Sequence, residues 1–201
     1  MKQYVFVILW SLLLVPAAMS QGYDVGDKAM EFELKNVDGK YVSLSDYKDE
    51  KGVIVVFTCN HCPYAQAWEQ RIIELDKRFD DQAYPVVAIQ PNDPELAPGD
   101  SFDKMKERAA EKNYPFPYLM DETQEVYRTY GATRTPHLYI LENQGGDFIV
   151  QYIGAVDDNY KNPDAVQKRY AANAVKALIK GENPEPAKTK AIGCSIKDKS
   201  N

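Results

Sequence analysis

The stretch Val53-Ile54-Val55-Val56-Phe57-Thr58-Cys59-Asn60-His61-Cys62-Pro63-Tyr64 constrains this chain more than any other. Five consecutive apolar residues, mostly β-branched, read as a strand buried on both faces, which belongs in the middle of a sheet with helices above and below. Past the second cysteine the apolar period changes. Ala65, Trp68, Ile72, Leu75 and Phe79 fall three or four residues apart, one stripe of an amphipathic helix. A buried strand therefore hands the chain to a helix through two cysteines spaced Cys-X-X-Cys.

Asn60 and Pro63 mark the start of that helix, since proline in the first turn loses no amide hydrogen bond and its fixed φ already matches a helix. Unpaired N–H groups and the positive end of the helix dipole then lie beside Cys59 and favour thiolate over thiol. His61 adds an imidazole that can donate a hydrogen bond to the thiolate or, when charged, attract it. Cys59 is the expected nucleophile and Cys62 its resolving partner. A structural disulfide or half of a metal site are the alternatives. A closed zinc site usually takes four ligands, and beyond the pair the chain offers only Cys194, His61 and His137, so no metal is expected.

The 201 residues suit one domain with room for an insertion, and 44% hydrophobic residues supply a core without a disulfide framework. A net charge of −6 with no basic block excludes nucleic acid as a partner. Residues 1–20 read as a signal peptide: Lys2, an apolar run over 5–15, and a small-residue exit with Ala18 and Ser20 where a signal peptidase reads. Cleavage is expected before Gln21. The run is shorter than the ~20 residues that span a bilayer, and a membrane is a partner only if this segment is retained as an anchor. Export implies a periplasmic or secreted protein in an oxidising compartment, where a catalytic dithiol needs an outside electron donor or acceptor. The expected division is a leader over 1–20, one domain over 21–181 and a polar C-terminal tail over 182–201.

Along the chain, residues 32–34 and 41–44 alternate around Asp38-Gly39, a hairpin in front of the core. Residues 84–89 read as a second buried strand, completing a βαβ unit with parallel pairing. Catalytic groups of such sheets gather at the carboxyl ends of strands, where Cys59 falls. The proline-rich loop over 90–100 is a candidate wall of a substrate groove or a plain surface loop. Phe102, Met105 and Ala109 suggest a helix ending near Lys112, and residues 115–117 must be extended. Asp121 and Gln124 resemble a capping box for a third helix closed by Gly131. Thr135-Pro136 precedes a strand from His137, and Gly145-Gly146 turns it into a hairpin. A last helix is expected from Asn162-Pro163 to Gly181. The tail beyond it reads as mobile or loosely laid on the surface.

A hairpin, a βαβ unit with Cys-X-X-Cys at its strand-to-helix junction, then Thr-Pro before a hairpin and a final helix: this order resembles the thioredoxin-like fold, a three-layer α/β/α arrangement around a central mixed sheet. The resemblance covers residues 26–181. The N-terminal hairpin extension and the helical insertion over 90–130 are similar to the redoxin branch, which includes the AhpC/TSA-type peroxiredoxins and membrane-facing thioredoxin-like reductases. The resemblance implies an exposed attacking Cys59, a buried resolving Cys62, and a redox-active Cys59–Cys62 disulfide in place of any other cofactor. It also implies that Pro136 is the cis-proline facing that disulfide, with Thr135 pairing its backbone to a substrate peptide. His61 before Cys62 resembles the periplasmic disulfide-introducing oxidase and implies a more oxidising pair than thioredoxin's.

Two departures bear on function. Thr58 adjoins Cys59 where peroxiredoxins place threonine three residues earlier, after an upstream proline, so the groups that activate peroxide there have no counterpart. No acidic residue lies in 53–57 to match thioredoxin's buried aspartate. The expected activity is thiol–disulfide exchange on protein disulfides or dithiols, serving cell redox homeostasis. The alternatives are a peroxiredoxin-like antioxidant peroxidase and a non-catalytic thioredoxin-fold binding module. Cys194, in the small apolar island Ile192-Gly193-Cys194-Ser195-Ile196, is either an extra resolving thiol or an incidental one. His137 is expected to be a strand residue more than a partner of the dithiol.

Overall fold

The computed structural model describes residues 22–200, so the expected leader over 1–20 lies outside the described residues. β1 (Glu33–Asn36) and β2 (Tyr41–Ser43) form the antiparallel hairpin. Gly39, at φ +88°, takes a left-handed turn position that costs any other residue more. β3 (Gly52–Phe57) is buried at every position, and α1 (Pro63–Phe79) follows, with Pro63 in its first turn. β4 (Val86–Gln90), α2 (Phe102–Lys112), β5 (Tyr118–Met120) and α3 (Glu125–Tyr130) come next. Then come β6 (Arg134–Thr135), β7 (His137–Gln144), β8 (Asp147–Gly154), α4 (Tyr170–Ile179) and β9 (Cys194–Ser195).

Seven strands form one sheet in the order β2-β1-β5-β4-β3-β7-β8. β3, β4 and β5 run parallel, and the flanking β1 and β7 pair antiparallel to them. Alternation along β3 sends Ile54 and Val56 to one face, against Trp68 and Ile72 of α1, Val175 and Leu178 of α4, and Met105 of α2. Val53, Val55 and Phe57 face the other way, against Val126, Tyr127 and Tyr130 of α3 with Phe32 and Leu44. The result is the three-layer α/β/α architecture with a central mixed sheet that the resemblance implies. The hairpin extends the sheet through β1, and α2 is the helical insertion.

Three local readings change. β5 is not legible in the sequence, because three residues after a proline pair are too few to show a period. α4 begins at Tyr170 instead of Asn162-Pro163. There Pro163–Ala165 makes a single 3-10 turn, whose Asp164 N–H donates to the Asn162 side chain at 3.0 Å, and Val166 is extended. The capping box at α3 is absent, since Asp121 reaches past it to accept from Tyr127 N at 2.8 Å. Gln124, at φ +61°, turns its amide elsewhere.

The tail is the largest difference. It docks: Ile153 N donates to Ala187 O and Thr189 N to Ile153 O, and β9 pairs antiparallel with β6 as a separate two-stranded sheet. Thr135 stands opposite Cys194 and Arg134 opposite Ser195. Polar, prolyl composition missed this because these bonds use backbone groups, which every sequence has.

Candidate active site

The buried β3 ends at Phe57 and delivers Thr58, Cys59 and Asn60 to the carboxyl edge of the sheet, and α1 begins after Cys62. Cys62 is fully buried and Cys59 is 5% exposed. Across from them the Thr135–Pro136 peptide is cis, and the Thr135 hydroxyl lies 3.2 Å from Cys59 Sγ. One cluster holds Cys59, Cys62 and Ala65, with Tyr64 and Cys194 packed against it.

The sequence pairs Cys59 with Cys62, whereas the structure bonds Cys62 to Cys194, with Cα atoms 6.1 Å apart, and leaves Cys59 a free thiol. The cause is the register of β9 on β6. It sets Cys194 opposite Thr135, directly over the start of α1, so a residue 132 positions away in sequence reaches the inner cysteine. Gly193 makes the approach feasible, because a Cβ there would overlap the Thr135 carbonyl and come within 3.2 Å of Pro136 N.

Beneath the Cys-X-X-Cys turn lies Asp100, fully buried. One carboxylate oxygen accepts from Asn60 N at 2.8 Å and His61 N at 3.3 Å. The other accepts from Asn92 Nδ2 and lies 2.7 Å from His61 Nδ1. The Asn60 side chain donates to Gly99 O and accepts from the Tyr118 hydroxyl, both at 3.0 Å. The turn is thus tied through its own amides to a carboxylate from the loop after β4.

This geometry reverses the expected ionisation of Cys59. Burial pushes its thiol up to about 11, and the nearby Asp100 charge pushes the same way. The Thr135 hydroxyl and the Cys62 N–H pull it down, without winning. His61 spends Nδ1 on Asp100, and Cys59 precedes the helix by a full turn instead of sitting at its end. Donor atoms of Cys59, His61 and Asp100 lie within 4.8 Å of one another. That is one short of a closed zinc set, and the Asp100 oxygens already accept from Asn60, His61 and Asn92.

His137 is buried, with its ring on Tyr139. Its Nδ1 accepts from Thr133 N at 3.3 Å, bracing the segment before Pro136, and burial lowers its pKa to about 4. The loop over 90–100 packs against the tail. Asn92 accepts from Lys197 N, while Asp93 N and Gln124 Nε2 both donate to Lys197 O, all at 2.8–2.9 Å. Asp198 pairs with Arg128 at 2.5 Å and accepts from the Tyr127 hydroxyl. Asp100, Asn92, Asp93 and Gln124 are the site residues that sequence reasoning missed. The available signal was polar side chains just past the carboxyl end of a buried strand.

Chemically the arrangement offers an adjacent thiol and disulfide, a backbone edge at Arg134–Thr135 on which β9 pairs, and a carboxylate–imidazole pair beside Cys59. An AhpC/TSA family model matches residues 25–156. The thiol-disulfide oxidoreductase ResA of Bacillus thuringiensis is 22% identical over 154 residues, covering 72% of this chain and 84% of that protein. A crystal structure of an uncharacterized conserved protein from Geobacillus kaustophilus is 40% identical with a TM-score of 0.82, covering 94% of this chain and 100% of that one. A putative thiol:disulfide interchange protein DsbE from Chlorobium tepidum shares the fold at 20% identity, with a TM-score of 0.57 over 79% of this chain and 96% of that chain. With the family model spanning both the sheet and the cysteine turn, this chain belongs to the AhpC/TSA family.

Proposed function

We propose that this chain is an exported thiol–disulfide oxidoreductase that works on protein disulfides through Cys59 and Cys62. The supporting observation is that the edge beside Pro136 already holds an extended cysteine-bearing strand, with its sulfur bonded to Cys62. A substrate peptide laid along Arg134–Thr135 would bring its own disulfide to the same place. The similarity to ResA supports the reaction class, and the leader-like residues 1–20 support export.

In the reducing direction the Cys59 thiolate attacks one sulfur of the substrate disulfide, and the other leaves as a thiolate and takes up a proton. The Cys62 thiolate then attacks Cys59 Sγ, forming the Cys59–Cys62 disulfide and releasing the second substrate thiol. An external dithiol donor restores the pair, and the reverse sequence introduces disulfides. The Thr135 hydroxyl, 3.2 Å from Cys59 Sγ, is placed to hydrogen-bond the thiolate. Cys59 requires relief from its burial to ionise near neutral pH.

Insulin reduction with dithiothreitol as donor tests the reading. Cys59→Ser should lose at least ~100-fold in rate, as nucleophile removal demands, while Cys62→Ser should accumulate a mixed disulfide with its substrate. Wild-type activity in Cys59→Ser would overturn it. Rapid peroxide consumption by the reduced protein would favour a peroxidase, for which Cys59 oxidises to a sulfenic acid.

A further inference from the structure

We propose that Cys194 is a third redox thiol and that the C-terminal strand is an internal occupant of the substrate edge. The oxidised protein would then exchange between a closed Cys62–Cys194 form and an open Cys59–Cys62 form. The inference rests on the reading of Cys59 and Cys62 as the working pair and adds the device that admits substrate to them.

Four features of the tail carry it. β9 lies along the backbone edge beside the cis-proline, in antiparallel register, with Cys194 packed against the other two cysteines. Gly193 is the residue that lets it lie so close to Thr135 and Pro136. The next residues are held by side chains from two loops and α3: Asn92 and Gln124 hold the Lys197 backbone, and Arg128 holds Asp198. Finally, Cys59 remains a thiol, hydrogen-bonded at Thr135 and sealed within the same cluster as the Cys62–Cys194 bond.

The exchange balances without an outside oxidant or reductant. Cys59 loses its proton and attacks Cys62 Sγ; the Cys62–Cys194 bond breaks as the Cys59–Cys62 bond forms. Cys194 departs as a thiolate and takes up the proton, so one disulfide and one thiol are present before and after. With its covalent tie gone, the tail leaves the edge and a substrate peptide takes its place. A tethered tail competes at an effective concentration in the millimolar range, so short or weakly binding peptides are excluded while the tail is docked.

Disulfide mapping of the full-length protein decides the matter. Oxidised protein is quenched in acid, its thiols are alkylated after denaturation, and the linked peptides are quantified by mass spectrometry. The wild type should carry the 62–194 linkage with Cys59 alkylated, and Cys59→Ser should carry the same linkage. Gly193→Val keeps all three thiols but cannot seat the strand. It should shift the ratio of 59–62 to 62–194 linkages by about tenfold or more toward the former, as expected when a tether loses its geometry. Wild-type protein with Cys194 alkylated and only a 59–62 linkage would overturn the proposal, as would an unchanged ratio in a folded Gly193→Val protein. Circular dichroism establishes that this variant is folded. Should it be unfolded, Arg128→Ala, which releases Asp198 without touching the strand register, serves as the second variant, with the same direction of shift required. Insulin reduction by the wild type separates the two levels: activity without the 62–194 linkage removes the third thiol and leaves the working pair, whereas full activity in Cys59→Ser removes the working pair.

Discussion

The Cys-X-X-Cys turn and the C-terminal tail meet in one disulfide, yet they are held by different forces. The turn rises from a strand with no exposed residue, and its amides are tied to a fully buried carboxylate. The tail, half-exposed for most of residues 186–200, is held by main-chain hydrogen bonds to β6, β8 and the loop after β4, and by two ion pairs at the surface, Arg128–Asp198 and Lys188–Asp24. Burial of apolar area is the dominant stabilising term, and an exposed ion pair adds at most ~1 kcal/mol. When the shared bond opens, the turn keeps its shape and the tail is free to go.

Truncating the turn's support should do the most damage. Phe57→Ala removes a fully buried ring that packs edge-on against Tyr130 and Tyr139. It should cost about 3–5 kcal/mol in chemical denaturation. A loss no larger than that of a tail substitution would erase the contrast between the regions.

Acidification should come next. Burial lowers the His137 pKa from 6.5 to about 4, so between these values the unfolded chain binds more protons than the folded one. Its contribution is complete above pH 6.5 and is lost as pH falls toward 4. The full loss would be as much as about 3 kcal/mol, at 1.36 kcal/mol per pKa unit. His137→Asn retains an acceptor for Thr133 N and should flatten the stability profile over that range. An equally steep profile in the variant would assign the effect to other groups.

The tail gives smaller energies and a kinetic signature. Arg128→Ala should change global stability by about 0–1 kcal/mol. Hydrogen exchange at the Ser195 and Lys197 amides should nonetheless accelerate well beyond that of β3, as local opening of a weakly held segment permits. Reduction of the Cys62–Cys194 bond should act on Cys59 in the same spirit. Its alkylation at pH 8 should quicken by about tenfold for each pKa unit that exposure restores. A rate insensitive to the state of the tail would show that the tail does not seal this sulfur.

The same contrast governs what the sequence reveals. The central strand, the helix stripe and both hairpins are legible because burial forces composition: Val53 to Phe57 could not be polar, nor Trp68 and Ile72 misplaced by one residue, without losing the core. Thr135-Pro136 is legible only through a resemblance, since a cis bond leaves no pattern of its own. Asp100, Asn92 and Gln124 are illegible because their partners are amides and carbonyls tens of residues away. The disulfide partner is illegible for a related reason: three cysteines allow more than one pairing, and the choice was made by a two-residue strand with no period. The acidity of Cys59 is not legible because local dipoles show in the sequence, whereas burial and a carboxylate brought near from another loop do not.

Asp100 grips the peptide groups at positions 60 and 61 with one oxygen, and with the other it meets the His61 side chain, so a replacement that offers that oxygen a donor keeps the loop's anchorage. His61 projects with 47% of its side chain in water. Exchanging it for another hydrogen-bond donor alters the electrical surroundings of Cys59 while Asp100 keeps its partner. For a designer, that position is a tuning knob with one end in solvent and the other on the bolt beneath, adjustable as long as the bolt keeps a donor.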